Sequence, residues 1–190
     1  MKKIVVCVLS MALVSTVAIA AGRVGHPKTA PGNPDSVVYD EASAMAFLAT
    51  TAGQWYEDTT SSSSGSHVPK GAVTIKTKAA HSAVIFNYQD GTPMAMETVF
   101  HMDGQDKLLL THYCALQNAP VLQFQKSDKP GEMKFLFQGG TNFDPQVDEH
   151  FHDQVFQVID KNTIEQRTTV YKNGKPLYEL KATLSRQGGN

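Results

Sequence analysis

The sequence has little of what would fix a function by motif. It has two cysteines in 190 residues, and Cys7 lies in the apolar run at the N-terminus. With Cys114 alone thereafter, no disulfide within a processed chain is available and the core must hold the fold. Seventeen Lys and Arg against 18 Asp and Glu give a formal net charge of −1. That leaves no basic surplus to neutralise phosphates and argues against nucleic acid as a partner. Gly139-Gly140 lacks the lysine and the following helix of a phosphate-binding loop. Helix-period patterning is missing beyond Gly53, which removes the long crossovers a parallel sheet needs. A chain of this length is expected to form one domain.

At the N-terminus, Lys2 and Lys3 precede an uncharged run from Ile4 to Gly22 that contains Ala18-Ile19-Ala20, the small-x-small pattern signal peptidase accepts. Residues 1–20 read as a signal peptide, with a mature chain that starts at Ala21 and is periplasmic or secreted. The competing reading is an uncleaved anchor, since about 19 apolar residues just span a bilayer. Ala, Ser and Thr dilute the run and favour cleavage, which leaves no stable membrane anchor. Cys7 has no room before it for the hydrophobic region of a lipoprotein signal. Residues 21–36 hold three prolines and three glycines with few large apolar side chains, and read as a flexible tether. The folded domain is then residues 37–190.

From Asp40 to Ala52 the chain is rich in helix formers, carries Asp40 and Glu41 at its start and places Met45, Leu48 and Ala49 on one face, so a short helix ending at Gly53 is expected. The polar stretch Thr59 to Ser66 reads as a loop. Beyond it, period-two alternation takes over, as in Val73-Ile75-Thr77, Val84-Phe86-Tyr88, Met133-Phe135-Phe137 and Tyr178-Leu180-Ala182-Leu184. Turn chemistry at Asp90-Gly91, Asp103-Gly104, Pro130-Gly131, Asp160 to Asn162 and Asn173-Gly174 separates the strands at hairpin spacing. About ten strands in a meander predict an all-β fold, an antiparallel up-and-down β-barrel behind a short N-terminal helix. A two-sheet sandwich is the alternative and needs a long Greek-key connection.

The run FLATTAGQWYE at 47–57, a helix leading into Gly53-x-Trp55, resembles the entry motif of the calycin superfamily, which includes the lipocalins and fatty-acid-binding proteins. The run from Thr98 to Pro120 with its Thr111-His112-Tyr113-Cys114 segment, GGTN at 139–142 and HFH at 150–152, is similar to a group of uncharacterised, often exported bacterial proteins with a lipocalin-like barrel. The resemblance implies the barrel, an internal cavity and no settled activity.

Candidate site residues follow from the hairpin at Asp103-Gly104. A two- or four-residue loop groups Glu97, Val99 and His101 with Leu108, Leu110, His112 and Cys114 on one face; only an odd loop or a bulge breaks the grouping. That face is read as inward, because His112 and Cys114, about 7 Å apart on one strand, and Glu97 opposite them make a coherent polar floor in a cavity. His150 and His152 form a second i, i+2 pair, continued by Gln154, Phe156 and Val158. Trp55 is read as packing one barrel end, and Asn142 as a turn residue able to reach the pocket mouth. His26, His67 and His81 are read as solvated. The expected role is an exported binding protein for a small, largely apolar ligand, contacted by Glu97, His101, His112, Cys114, Asn142, His150 and His152. Three alternatives stay open: histidines that serve only buried hydrogen bonding, a metal site of His112, Cys114 and His152 or another histidine, and thiol catalysis by Cys114 with a histidine. No motif names a cofactor.

Overall fold

The computed structural model describes residues 32–61 and 67–188. The expected signal peptide and most of the tether lie outside the described residues. The antiparallel strands are β1 (Gly53–Ser61), β2 (His67–Lys78), β3 (Ala83–Tyr88), β4 (Met96–Met102), β5 (Leu108–Tyr113), β6 (Ala119–Gln125), β7 (Glu132–Thr141), β8 (His150–Asp160), β9 (Thr163–Lys172) and β10 (Lys175–Arg186). Each pairs with its sequence neighbour, and β1 also pairs with β10 from Trp55↔Arg186 to Ser61↔Leu180, which closes the sheet. The result is the ten-stranded up-and-down barrel, and closure leaves no bare strand edge.

The stretch expected as a loop from Thr59 onward is partly strand. β1 runs to Ser61 and pairs Thr60 with His67. Ladder pairing uses only backbone groups, and β-branched Thr is at home there.

One end of the barrel is shut by α1 (Glu41–Thr50), which packs against β3, β4 and β5 and buries Ala44, Met45, Phe47 and Leu48. It starts with a capping box. The Asp40 carboxylate accepts from Ser43 N–H at 2.8 Å, and the Ser43 hydroxyl accepts from Asp40 N–H at 2.9 Å. At the helix end the Trp55 indole donates to Thr51 O at 2.7 Å. Arg186, from the last strand, donates to Ala52 O at 3.0 Å and Thr50 O at 3.1 Å, and sits 4.5 Å above the Trp55 ring. Gly53 makes this corner possible: its φ is +143°, and a Cβ there would lie 2.9 Å from Arg186 Nη1. Pro34–Ser36, the end of the expected tether, form a 3₁₀ turn against β8. Tyr39 donates its hydroxyl to Pro34 O, and Gly131 N–H binds Val37 O.

Beneath the helix the interior is dry. Phe86, Phe100, Phe124, Phe135 and Phe156 are each at most 1% exposed. Their rings meet tilted or edge-to-face, with centroids 5.1 Å apart for Phe86–Phe100 and 5.8 Å for Phe135–Phe156.

Candidate functional site

Past the phenylalanine cluster the barrel is not filled. A cavity of about 250 Å³ opens at the end opposite the helix, room for roughly eight waters at liquid density. Strand alternation builds its walls. The parity that turns Trp55 inward also turns Glu57 and Thr59 inward on β1. Tyr88 follows Phe86 on β3, His112 follows Leu110 on β5, and Gln166 and Thr168 follow Ile164 on β9. Phe151 and Gln154 come from β8, and Tyr178, Leu180 and Ala182 from β10. Met94, Leu116, Cys114 and Glu149 form the rim, where Met94 and Leu116 are about half exposed at 54% and 48%.

Most polar groups of these walls are buried and partly unpartnered, and Glu57 is half-buried. His112 is 2% exposed, its Nδ1 is 2.8 Å from the Thr98 hydroxyl, and its ring stacks on Phe151 at 4.3 Å. Burial lowers the His112 pKa to about 4, so the imidazole is neutral near pH 7. Its Nε2 has no hydrogen-bond partner within the protein, and neither does the Tyr88 hydroxyl. The side-chain amides of Gln154 and Gln166 both donate to Thr168 Oγ1, at 3.1 and 3.4 Å, which leaves both Oε1 atoms without partners. Burial raises the Glu57 pKa to about 7, against an opposing hydrogen bond from Thr59. At the rim, Glu149 accepts from the Tyr178 hydroxyl at 2.8 Å and lies 3.7 Å from Lys172.

The sequence-expected residues are divided between wall, rim and exterior. His112 is on the cavity wall and Cys114 at its rim. Glu97 and His101 face outward instead, because the β4–β5 loop has an odd number of residues. Met102 pairs with Leu108 and Asp103 N–H binds Lys107 O, so Thr98, Phe100, Met102, Leu108, Leu110 and His112 share the inner face. Glu97 lines a shallow exterior depression with Tyr113. A β-bulge between Phe151 and Asp153 makes the second correction. Phe151 pairs with Val170 and Gln154 with Thr168, so these two point inward. His150 and His152 do not line the cavity; they stack with Phe137, Phe143 and Tyr171, with His152 3.7 Å from the Tyr171 ring. Asn142 is exposed and donates to Gln117 O, which ties two loops together. The proposed metal set is therefore not assembled: His152 is in that separate stack, and among the described residues no three His, Cys, Asp or Glu converge as metal ligands. Burial also pushes the Cys114 thiol up, so it stays protonated near pH 7 and is a poor nucleophile.

Glu57, Tyr88, Gln154, Gln166 and Thr168 were not among the expected site residues. The signal for Glu57 was its i+2 spacing from Trp55. On β4 the inner face was the one free of charge, Thr98-Phe100-Met102, against Glu97-Val99-His101.

Neither a family model nor a curated protein matches the sequence. Solved structures do match. One is the crystal structure of a DUF3598-family protein of unknown function from Nostoc punctiforme, with TM-score 0.51 and 10% identity over 73% of this chain and 48% of that one. This chain thus spans about half the length of that relative. A redesigned β-barrel gives TM-score 0.39 at 11% identity over 74% of this chain and 94% of its own, and EF1p2_mFAP2b bound to DFHBI gives 0.37 at 12% over 74% and 98%. At these identities the likeness shows the barrel fold alone. Fold and cavity together define a closed antiparallel barrel with one packed end and one hollow end.

Proposed function

We propose that this protein is an exported binding protein for a small amphipathic molecule, held in the hollow end of the barrel. The ligand's polar part meets Glu57, Tyr88, His112, Gln154 and Gln166, and its apolar part lies against Met94, Met96, Phe151 and Leu180. One observation carries this reading: four buried polar atoms without a protein partner line the same unfilled space. Each buried group left unpaired costs about 1–3 kcal/mol, and a ligand that pairs them recovers that cost. Export rests on Lys2-Lys3, the apolar run and Ala18-Ile19-Ala20. An intact mass beginning at Ala21 supports it, and a full-length species in the membrane fraction contradicts it.

The test of binding is titration of the protein with the neutral fluorophore N-phenyl-1-naphthylamine. Saturable enhancement is expected, and Ala182→Trp, which puts an indole into the cavity, is expected to abolish it while the variant still melts cooperatively. Enhancement that survives the cavity-filling variant, or none in the unmodified protein, contradicts the reading.

A further inference from the structure

Taking the hollow end as a ligand site, we infer that the ligand's head is a donor-bearing cation of the ammonium type and that carboxylate ligands are rejected. The charges lining the space decide this. Glu57 and the rim residue Glu149 are its carboxylates, and no Lys or Arg lines it among the described residues. Lys172 does not line the space and lies 3.7 Å from Glu149. His112 is the one remaining basic group on the wall, and its buried ring is neutral. A carboxylate head would enter beside Glu57 with no cation to receive it, and an unpaired charge buried in such surroundings is strongly disfavoured.

Among the unpartnered groups, the two amide oxygens point the same way. Gln154 Oε1 and Gln166 Oε1 are unpartnered acceptors, with both amide nitrogens directed at Thr168 Oγ1. Together with the Glu57 carboxylate they offer three acceptors to one incoming head, and an ammonium group carries three N–H donors. The aromatic rings of Tyr88 and Phe151 also line the space, and such rings suit a cation. The alkyl or aryl remainder of the ligand then lies toward Met94, Met96 and Leu180, where the wall is apolar.

Three eight-carbon probes that differ only in the head group test this by calorimetric titration at pH 8: n-octylamine, 1-octanol and octanoate. The unmodified protein is expected to bind octylammonium about tenfold more tightly than octanol, with no saturable binding of octanoate. Glu57→Gln is expected to erase that tenfold preference by weakening octylamine much more than octanol. Should Glu57→Gln fail to fold, the ranking of the three heads on the unmodified protein still decides. Octanoate bound as tightly as octylamine, or a preference for octylamine that survives Glu57→Gln, overturns the head-group assignment and leaves the small-molecule reading standing. If none of the three binds but N-phenyl-1-naphthylamine does, the assignment is again overturned alone. If that fluorophore is not taken up either, both fall.

Discussion

Leu110 and His112 are successive inward residues of β5, paired with Phe100 and Thr98 on β4. Around Leu110 and Phe100 the interior is packed with phenyl rings and carries no polar side chain. Around His112 the side chains of Glu57, Tyr88, Gln154 and Gln166 surround an unfilled space. One rung of one strand pair separates the two environments. The packed half supplies burial energy, about 1.5–3 kcal/mol per large apolar side chain. The hollow half holds polar atoms whose desolvation nothing in the protein offsets. The packed half of the barrel, with its helix and its Arg186 corner, carries the burial and the helix-end hydrogen bonds that offset such a region. The packed part and the proposed recognition part are thus separated along the barrel axis, the arrangement expected where a binding site costs stability.

This contrast makes a ranked set of expectations. The largest effect belongs to the packed half: Phe100→Ala or Phe156→Ala is expected to cost about 3–5 kcal/mol in urea denaturation. A loss under 1 kcal/mol would mean the phenylalanine cluster is not the core described.

Next comes pH dependence from Glu57 in the hollow half. Its folded pKa of about 7 lies above the ordinary carboxyl value, so its protonated form favours the folded state. The stability it lends is fully present below about pH 4.5 and is lost as pH rises through 7. Glu57→Gln is therefore expected to be more stable than the unmodified protein at pH 8, by about 2–3 kcal/mol, with the advantage gone at pH 4.5. His112 acts in the opposite sense. Its folded pKa is depressed to about 4, so it contributes stability above about pH 6.5 that is lost as pH falls through 4. Between pH 4.5 and 6.5 the two slopes oppose each other, and the Gln variant uncovers the loss in acid due to His112. Equal stability of variant and parent at pH 8 would contradict the burial of Glu57.

At the closed end, Arg186→Met removes two helix-terminal hydrogen bonds and the contact over Trp55. A drop of about 1–3 kcal/mol is expected, read as a lower melting temperature with uptake of N-phenyl-1-naphthylamine unchanged. The smallest effect is on the outer wall. Glu97→Gln and His101→Asn are expected to change stability by less than about 0.5 kcal/mol and uptake not at all. A marked loss of uptake in either would return those residues to the site.

The strand meander, the barrel and the helix were legible because each leaves a local mark: period-two alternation, turn dipeptides and acidic residues at the start of an Ala-rich run. The site was legible only in part, because it depends on parity, and parity is lost wherever one residue is added. The five-residue connection between Met102 and Leu108 moved Glu97 and His101 outside. The bulge around His152 took the two later histidines off the cavity wall and put Phe151 on it. Neither extra residue has a signature in composition. Gln166 and Thr168 escaped for another reason: on β9 they alternate with charged or polar residues on both sides, so no apolar stripe marks the inner face there.

Gln166→Met tests most directly whether the hollow half is built for a ligand and not for stability. The substitution deletes a buried amide whose oxygen has no partner and whose nitrogen lies 3.4 Å from Thr168 Oγ1. The free protein is expected to be as stable or up to about 1 kcal/mol more stable in urea denaturation, while its affinity for n-octylamine falls. A variant that loses more than about 1 kcal/mol and still binds n-octylamine as well as its parent would contradict the account, since the amide would then be part of the scaffold.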